Sequence, residues 1–211
     1  MTDVWSERTE AYRNSEAHRS GRDLELFANW AAGETVLDVA SGGGHVASRL
    51  REVGCEVVTC DPAPGMKADV LCRAEDLPFA DRSFDVVTCR VAAHHFEDAA
   101  AALREMARVS SGLVLLADNL FRGEAGEEAD RLRDPTHVRN YSEDEWRRLF
   151  AQAGLEVEAF EREEKRVELD PWLERAGCTA AEAERVRGLL ADRIQDAQLR
   201  LDRGIFKARR R

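Results

Sequence analysis

The stretch Val36-Leu37-Asp38-Val39-Ala40-Ser41-Gly42-Gly43-Gly44 constrains this chain more than any other. From Thr35 to Ala40 the run is continuously apolar apart from Asp38, as expected of a strand covered on both faces. It stops at Ser41-Gly42-Gly43-Gly44, and a helix is predicted from His45 to Val53. A strand that passes through a side-chain-free bend into a helix lets backbone N–H groups approach a ligand, near the positive end of the helix dipole.

The rest of the chain repeats the alternation. Two helical pieces are predicted over 4–17 and 22–32, with Gly33 stopping the second. Strands are predicted over 56–60, 68–72, 83–91 and 113–117, with a helix over 98–109. Strand–helix alternation of this kind implies βαβ units and a parallel sheet. Ser142 with Glu145 forms a capping box for a helix to about residue 153, closed by Gly154. Residues 155–169 alternate as one or two strands. Thr179 with Glu182 is a second capping box, predicted to open a long helix to about residue 203, and 205–208 reads as a last strand. Gly42, Asp61, Glu75, His94 and Asp118 each follow a predicted strand. Doubly wound sheets bind ligands in the crevice at those carboxyl ends.

Composition narrows the class. The 211 residues suffice for one α/β domain with a small helical cap. No apolar run approaches the ~20 residues of a membrane span. The beginning of the chain lacks a signal-peptide stretch, so a cytoplasmic protein is expected. The five cysteines, at 55, 60, 72, 89 and 178, form no CxxC pair and read as reduced core thiols, with no metal site. A net charge of −10 argues against a nucleic-acid substrate, and the basic run 207–211 reads as a solvated terminus. Trp30, Trp146 and Trp172 read as core and cap packing, Trp172 being the best placed to line a substrate pocket.

Asp61 closes the second strand, 23 residues after Asp38, where a carboxylate can accept both hydroxyls of a ribose. These features suit NAD as well as S-adenosylmethionine. The spacing separates them. A dinucleotide turn wants G-x-G-x-x-G, whereas this series from Ala40 is A-x-G-x-G with an acid two positions before it. An acid there suits a cationic ammonium better than a pyrophosphate.

Residues 36–45 resemble the first motif of class I S-adenosylmethionine-dependent methyltransferases, and Cys60-Asp61-Pro62 resembles their ribose-binding motif. Ala74-Glu75-Asp76-Leu77-Pro78-Phe79, followed by Ser83-Phe84-Asp85-Val86-Val87, is similar to the ubiquinone/menaquinone-biosynthesis type. Residues 89–96 and 133–139 look like a bacterial branch acting on small molecules. The resemblance covers residues 10–175. It implies an α/β, Rossmann-like, seven-stranded, mostly parallel sheet of order 3-2-1-4-5-7-6, with N-terminal helices and a small helical cap. The single domain would comprise a lid (1–32), a cofactor core (33–119), substrate-side and cap elements (120–203), and a last strand with tail (204–211).

The resemblance further implies S-adenosylmethionine as cofactor, S-adenosylhomocysteine as product and a small-molecule acceptor. Asp38, Ala40 and Gly42 would flank the methionine portion, Asp61 and Pro62 the ribose, and Ala74 and Glu75 the adenine. Tyr12, on a lid helix with Ser15 and His18, would hydrogen-bond the cofactor carboxylate, or that helix merely caps. Arg90 joins the cofactor set, with a salt bridge to Asp118 or Asp134 as its structural alternative. The chain departs from the family in three ways. Ala40 replaces the first glycine. Arg73 stands where an acid reads the adenine amino group. Only seven residues separate Met66 from Ala74, so the usual helix there is nearly absent.

Methyl transfer from a sulfonium is an in-line displacement, and a protic nucleophile must lose a proton to a positioned base. Imidazoles suit that task near neutral pH. His94 and His95 end the fourth strand and His137 follows the fifth, so these three are the candidates, each with packing as its structural alternative. His45 reads as a backbone contact. Residues 90–93 stand where nucleic-acid amine methyltransferases carry Asn-Pro-Pro-aromatic, which again disfavours that substrate. The competing readings are a protein that binds S-adenosylmethionine without turnover and a nicotinamide-dependent oxidoreductase on a similar sheet.

Overall fold

A computed structural model describes residues 4–14 and 16–210, the side chains of residues 11, 12, 16 and 17 excepted; the Tyr12 and Ser15 side chains therefore lie outside the described residues. The run before the glycine turn forms β1 (Thr35–Val39). Val36, Leu37 and Val39 are fully buried because β1 lies inside the sheet, between two strands, and is covered on both faces. It pairs in parallel with β2 (Glu56–Asp61) on one side and β4 (Phe84–Arg90) on the other. Beyond β2 lies the two-residue β3 (Val70–Leu71), and beyond β4 lies β5 (Ser110–Asn119). The antiparallel β8 (Gln198–Arg210) pairs with β5 and carries β6 (Leu155–Glu168) on its far side.

The order β3-β2-β1-β4-β5-β8-β6 is the expected one, with the last strand inserted between the fifth and sixth. A two-residue strand, β7 (Ile194–Gln195), pairs with β8 and raises the expected seven strands to eight.

Alternate residues serve opposite faces. Val36, Val86, Leu115 and Ile205 pack under α4 (Arg22–Ala31) and α5 (His45–Glu52), against Leu24, Phe27, Val46 and Leu50. Leu37, Val87, Leu116 and Phe206 face α6 (Ala99–Val109) and α8 (Glu143–Gln152), against Leu103, Met106, Trp146 and Phe150. A third cluster forms the cap. It joins α7 (Glu124–Arg133), α9 (Leu169–Glu174) and α10 (Ala180–Leu189) to the ends of β6 and β8 through Ala129, Val167, Trp172, Val186 and Leu199. Both capping boxes are present, at Ser142/Glu145 and Thr179/Glu182.

Three expectations are corrected. The single helix over 4–17 is three short segments, α1 (Val4–Glu7), α2 (Thr9–Arg13) and α3 (Glu16–Arg19). The helix expected to reach residue 203 ends at Leu189. The chain then reverses through Asp196 and Ala197, at φ 52° and 60°, the paired positive values of a tight hairpin turn. Leu199 and Leu201 then bury with a period of two. A helix not expected at all, α7, is mostly charged and is held by the buried polar side chains Glu127 and Asp130.

Arg90 pairs with neither Asp118 nor Asp134. Its partner is Asp23 of α4, which is fully buried, with Nε–Oδ2 at 2.7 Å and Nη2–Oδ1 at 3.0 Å. Arg203 of β8 adds Nη1–Oδ2 at 2.7 Å. Burial by itself raises a carboxyl pKa; the two guanidiniums outweigh it and hold Asp23 well below the usual carboxylate range. Asp118 and Asp134 are engaged elsewhere, by His94 and Arg8.

Asp23→Asn should therefore destabilise the fold by about 3–5 kcal/mol in urea titrations near neutral pH, because two buried cations lose their counter-charge. The Asp23 contribution is present above the ordinary carboxylate pKa and fades as pH falls through the depressed one. The gap between variant and parent should accordingly narrow progressively below about pH 4.

Candidate active site

The carboxyl ends of β1, β2 and β4 open onto a cavity of about 480 Å³, within the ~300–1,000 Å³ typical of small-ligand sites. The glycine turn forms one wall. Ala40, Gly42 and Gly44 lie at φ 53°, 50° and 78°, a left-handed path that glycine follows without strain and that Ala40 must be held in. The neighbouring strand supplies that hold. Ser41 N–H donates to the Cys60 carbonyl at 3.1 Å, and Gly42 N–H to Asp61 Oδ2 at 3.0 Å. Ala63 N–H donates to Asp61 Oδ1 at 2.9 Å, so each carboxylate oxygen of Asp61 is oriented by one loop amide. Ala40, Gly42, Asp61 and Pro62 line the cavity. Asp38 does not. It is buried beneath the turn, accepts from Thr88 Oγ1 at 2.9 Å, and is pushed up to about 7 by that burial.

At the end formed by Met66, Ala74, Glu75 and Phe96, the helix missing from the sequence is replaced by a short turn, Pro64–Met66. The N-terminal segment covers it. Gly65 N–H donates to Ser6 Oγ at 2.7 Å, and a Cβ at Gly65 would lie only 2.6 Å from Ser6. Arg13 Nη2 donates to the Met66 carbonyl at 3.2 Å. Arg8 extends the same segment to the far side, pairing with Asp134 at 3.0 Å and reaching the Ala176 carbonyl. Arg73 is taken up by ion pairs to Glu97 at 3.0 Å and Glu75 at 3.5 Å, and Glu75 accepts the Glu97 amide at 3.0 Å.

After β4 a tight turn over Ala93–His95 sets two imidazoles side by side, ring centroids 4.0 Å apart. His94 Nδ1 lies 2.7 Å from Asp118 Oδ1, and its amide donates to Oδ2 at 2.8 Å. Burial alone lowers a histidine; the charge and hydrogen bond of Asp118 outweigh it, so the His94 pKa is raised. His95 Nδ1 lies 3.0 Å from the Thr136 carbonyl, which only accepts, so Nδ1 carries the proton and Nε2 the lone pair. Burial, and then the charge of His94, push His95 down to about 3. His95 and Arg90 line the main cavity, whereas His94 lines a smaller chamber adjoining it.

His137 borders neither. Its Nε2 is 3.0 Å from Glu127 Oε2, in a buried group with Asp130 whose ligand atoms lie within 4.8 Å of one another. Asn140 donates to Glu127 at 2.8 Å and to Asp130 at 2.7 Å, and Arg122 pairs with Asp130, so both carboxylates already accept from neighbouring side chains. Trp5, Met66, Thr136 and Val138 also line the main cavity. Sequence reasoning passed over Trp5 and Met66, whose place depends on the N-terminal segment folding back across the turn.

The family described as Methyltransferase domain matches residues 37–115. The chain is 34% identical over 201 residues to the uncharacterized methyltransferase YcgJ of Bacillus subtilis, covering 83% of this chain and 79% of the relative. A demethylmenaquinone methyltransferase of Beutenbergia cavernae is 41% identical over 88 residues, 37% of each chain. The crystal structure of YcgJ superposes with a TM-score of 0.80 at 27% identity, covering 90% of this chain and 98% of that one.

The Asp118–His94 pair makes a direct prediction. In NMR titrations His94 should titrate above the ordinary ~6.5. In Asp118→Asn it should drop below that value, since burial then acts without the opposing charge.

Proposed function

The chain belongs to the methyltransferase-domain family and is an S-adenosylmethionine-dependent methyltransferase; from that premise we propose that it methylates a small-molecule acceptor, with His94 as the base. The observation that carries the reading is the coupling of the glycine turn to Asp61, at 3.0 Å from Gly42 N–H to Oδ2. The residues fit the cofactor. Asp61 is presented for the ribose hydroxyls, Ala74, Met66 and Phe96 offer an apolar seat for the purine, and the bend at Ala40 and Gly42 leaves room for the methionine portion. Pro62 borders the ribose position and Arg90 the methionine end.

When bound, S-adenosylmethionine supplies an electrophilic methyl group on a sulfonium. The protein's part is to orient the acceptor, exclude water and take a proton. His94 suits the last role. Asp118 fixes Nδ1 as the protonated nitrogen, which leaves Nε2 as acceptor, and keeps the imidazole basic despite its burial. His95, pushed down to about 3, is too weak a base and instead positions its neighbour. His137 braces the segment after α7 through Glu127. Residues 1–32 serve as a lid, supported by the Ser6–Gly65 and Arg8–Asp134 links. A reducing, cytoplasmic setting is supported by five free thiols. No helix of the described residues is long and apolar enough to cross a membrane.

Purified protein should bind S-adenosylhomocysteine in calorimetry, and Asp61→Ala should weaken that binding at least tenfold, about 1.4 kcal/mol. Incubation with labelled S-adenosylmethionine and a metabolite panel should transfer label. Absence of affinity for both the cofactor and its product would refute the reading. With an acceptor in hand, His94→Ala should lower kcat by about 10²–10⁴ with cofactor affinity intact. The rising limb of kcat against pH should lie above ~6.5, because the base works deprotonated and its pKa is raised. Asp118→Asn should move that limb to lower pH.

A further inference from the structure

Three separate segments meet at the His95 ring. Asp134, just after α7, accepts three hydrogen bonds on one oxygen: Oδ1 takes Arg8 Nη1 at 3.0 Å, the Thr136 amide at 3.1 Å and the Thr136 hydroxyl at 2.7 Å. Burial raises a carboxyl; the Thr136 hydrogen bonds, the neighbouring imidazole and Arg8 outweigh it and hold Asp134 down to about 2. Its oxygens therefore only accept, and the Thr136 hydroxyl gives its proton to them. What remains on Thr136 Oγ1 is lone pairs, 3.2 Å from His95 Nδ1, beside the Thr136 carbonyl at 3.0 Å. Nδ1 thus faces two acceptors and carries the ring proton. Trp5 of α1 packs edge-on against the same ring, centroids 4.6 Å apart.

The opposite nitrogen is differently placed. Among the described residues, both hydrogen bonds of the ring run through Nδ1. Nε2 is not one of the buried polar atoms that lack a partner. A ring nitrogen with neither partner nor burial reaches open space, and His95 borders the main cavity and the small chamber beside it. The imidazole is uncharged: burial and then the charge of His94 push it down to about 3, against the opposing pull of the Thr136 carbonyl, Asp134 and Asp118. Other charged side chains on the main cavity wall are engaged, Arg90 by Asp23, Arg73 by Glu75 and Glu97, and Asp61 by the amides of Gly42 and Ala63. Apolar side chains flank His95 on that wall: Val91 and Ala92 before it, Val138 beyond Thr136, and Trp5.

An uncharged lone pair in such a wall gives nothing to a carboxylate, whose oxygens also only accept. A cation is opposed by His94, 4.0 Å away, which holds its proton more tightly than an ordinary imidazole. The matching group is a neutral O–H or N–H.

We propose that His95 Nε2 binds the methyl acceptor through such a group, and that Asp134, held by Arg8 and acting through Thr136, is the positioning residue that keeps this nitrogen turned out to accept. The inference rests on the methyl-transfer reading above and gives it a substrate class: an uncharged alcohol, phenol or amide. Anchoring at His95 orients the acceptor beside His94, as an in-line displacement requires. Arg8 and Trp5 come from the segment whose Ser6 meets Gly65, so one stretch of chain touches both the cofactor side and the acceptor side of the cavity.

The first test needs no ligand. In NMR of protein carrying nitrogen-15-labelled histidine, near neutral pH, His95 should show a protonated Nδ1 and an unprotonated Nε2. Asp134→Ala should shift the ring toward the other tautomer, and Asp134→Asn, which keeps an acceptor oxygen for Thr136, should restore the parent pattern. Thr136→Val removes the hydroxyl link alone and should shift the ring in the same direction, including where Asp134→Ala does not fold. The second test is calorimetry on protein saturated with S-adenosylhomocysteine, titrated with phenol, benzyl alcohol and benzamide and with anisole, benzyl methyl ether and N,N-dimethylbenzamide. At least one donor should bind tenfold or more tightly than its methylated counterpart, and Thr136→Val should bring that ratio down several-fold. A protonated Nε2 in the parent, a tautomer unmoved by these substitutions, equal affinity of donors and methylated counterparts, or no binding by either series overturns the proposal. Failure of the methyl-transfer reading appears elsewhere, as absent affinity of the parent protein for S-adenosylhomocysteine.

Discussion

Asp23 sits with no solvent exposure between the guanidiniums of Arg90 and Arg203, and the geometry of the cavity follows from that one carboxylate. It belongs to α4, ahead of the sheet, while its partners close β4 and cross from β8. One buried charge thus ties together three chain segments, α4, β4 and β8, that lie far apart in sequence. A neutral core would hold the same elements together. What the ion pair adds is direction: Arg90 is pinned along the cavity wall, and its Nη1 donates to the His18 carbonyl at 2.9 Å, which fixes the end of the N-terminal helices over the site.

The two adjacent imidazoles show how position alone divides chemical roles. His94 and His95 leave the same turn, and their rings nearly touch, yet one is held basic and the other neutral. The difference is the acceptor each meets. His94 faces a carboxylate that is itself fixed by the amides of His94 and Asn119, whereas His95 faces a carbonyl. A second protonation within 4 Å of the first would be penalised, so the pair behaves as one proton site with a neutral neighbour.

Much of this was legible in the sequence. The doubly buried run at Val36–Val39, the glycine turn and Asp61 carry their structure locally, and both capping boxes set helix starts from four residues. What was not legible depends on distant partners. The partner of Arg90 could not be read because Asp23 lies 67 positions away, inside what looks like an ordinary amphipathic helix. The hairpin at Asp196–Ala197 was hidden because neither residue advertises a positive φ, and the capping box at Thr179 favoured continuing the helix. The charged α7 escaped notice because its inward face is polar, satisfied by Asn140, His137 and Arg122.

β6 and β8 pair along their whole lengths, from Leu155 with Arg210 to Glu168 with Gln198, but β5 accompanies β8 only as far as Arg203. Past that point β6 and β8 run on beyond the rest of the sheet, joined at the tip by β7, and pack with α9 and α10. Such a cantilever stands apart from the glycine turn, which is held by contacts between the ends of β1 and β2: Ser41 to the Cys60 carbonyl and Gly42 to Asp61. A change of length or charge in the overhang is therefore not transmitted to that turn through its own hydrogen bonds.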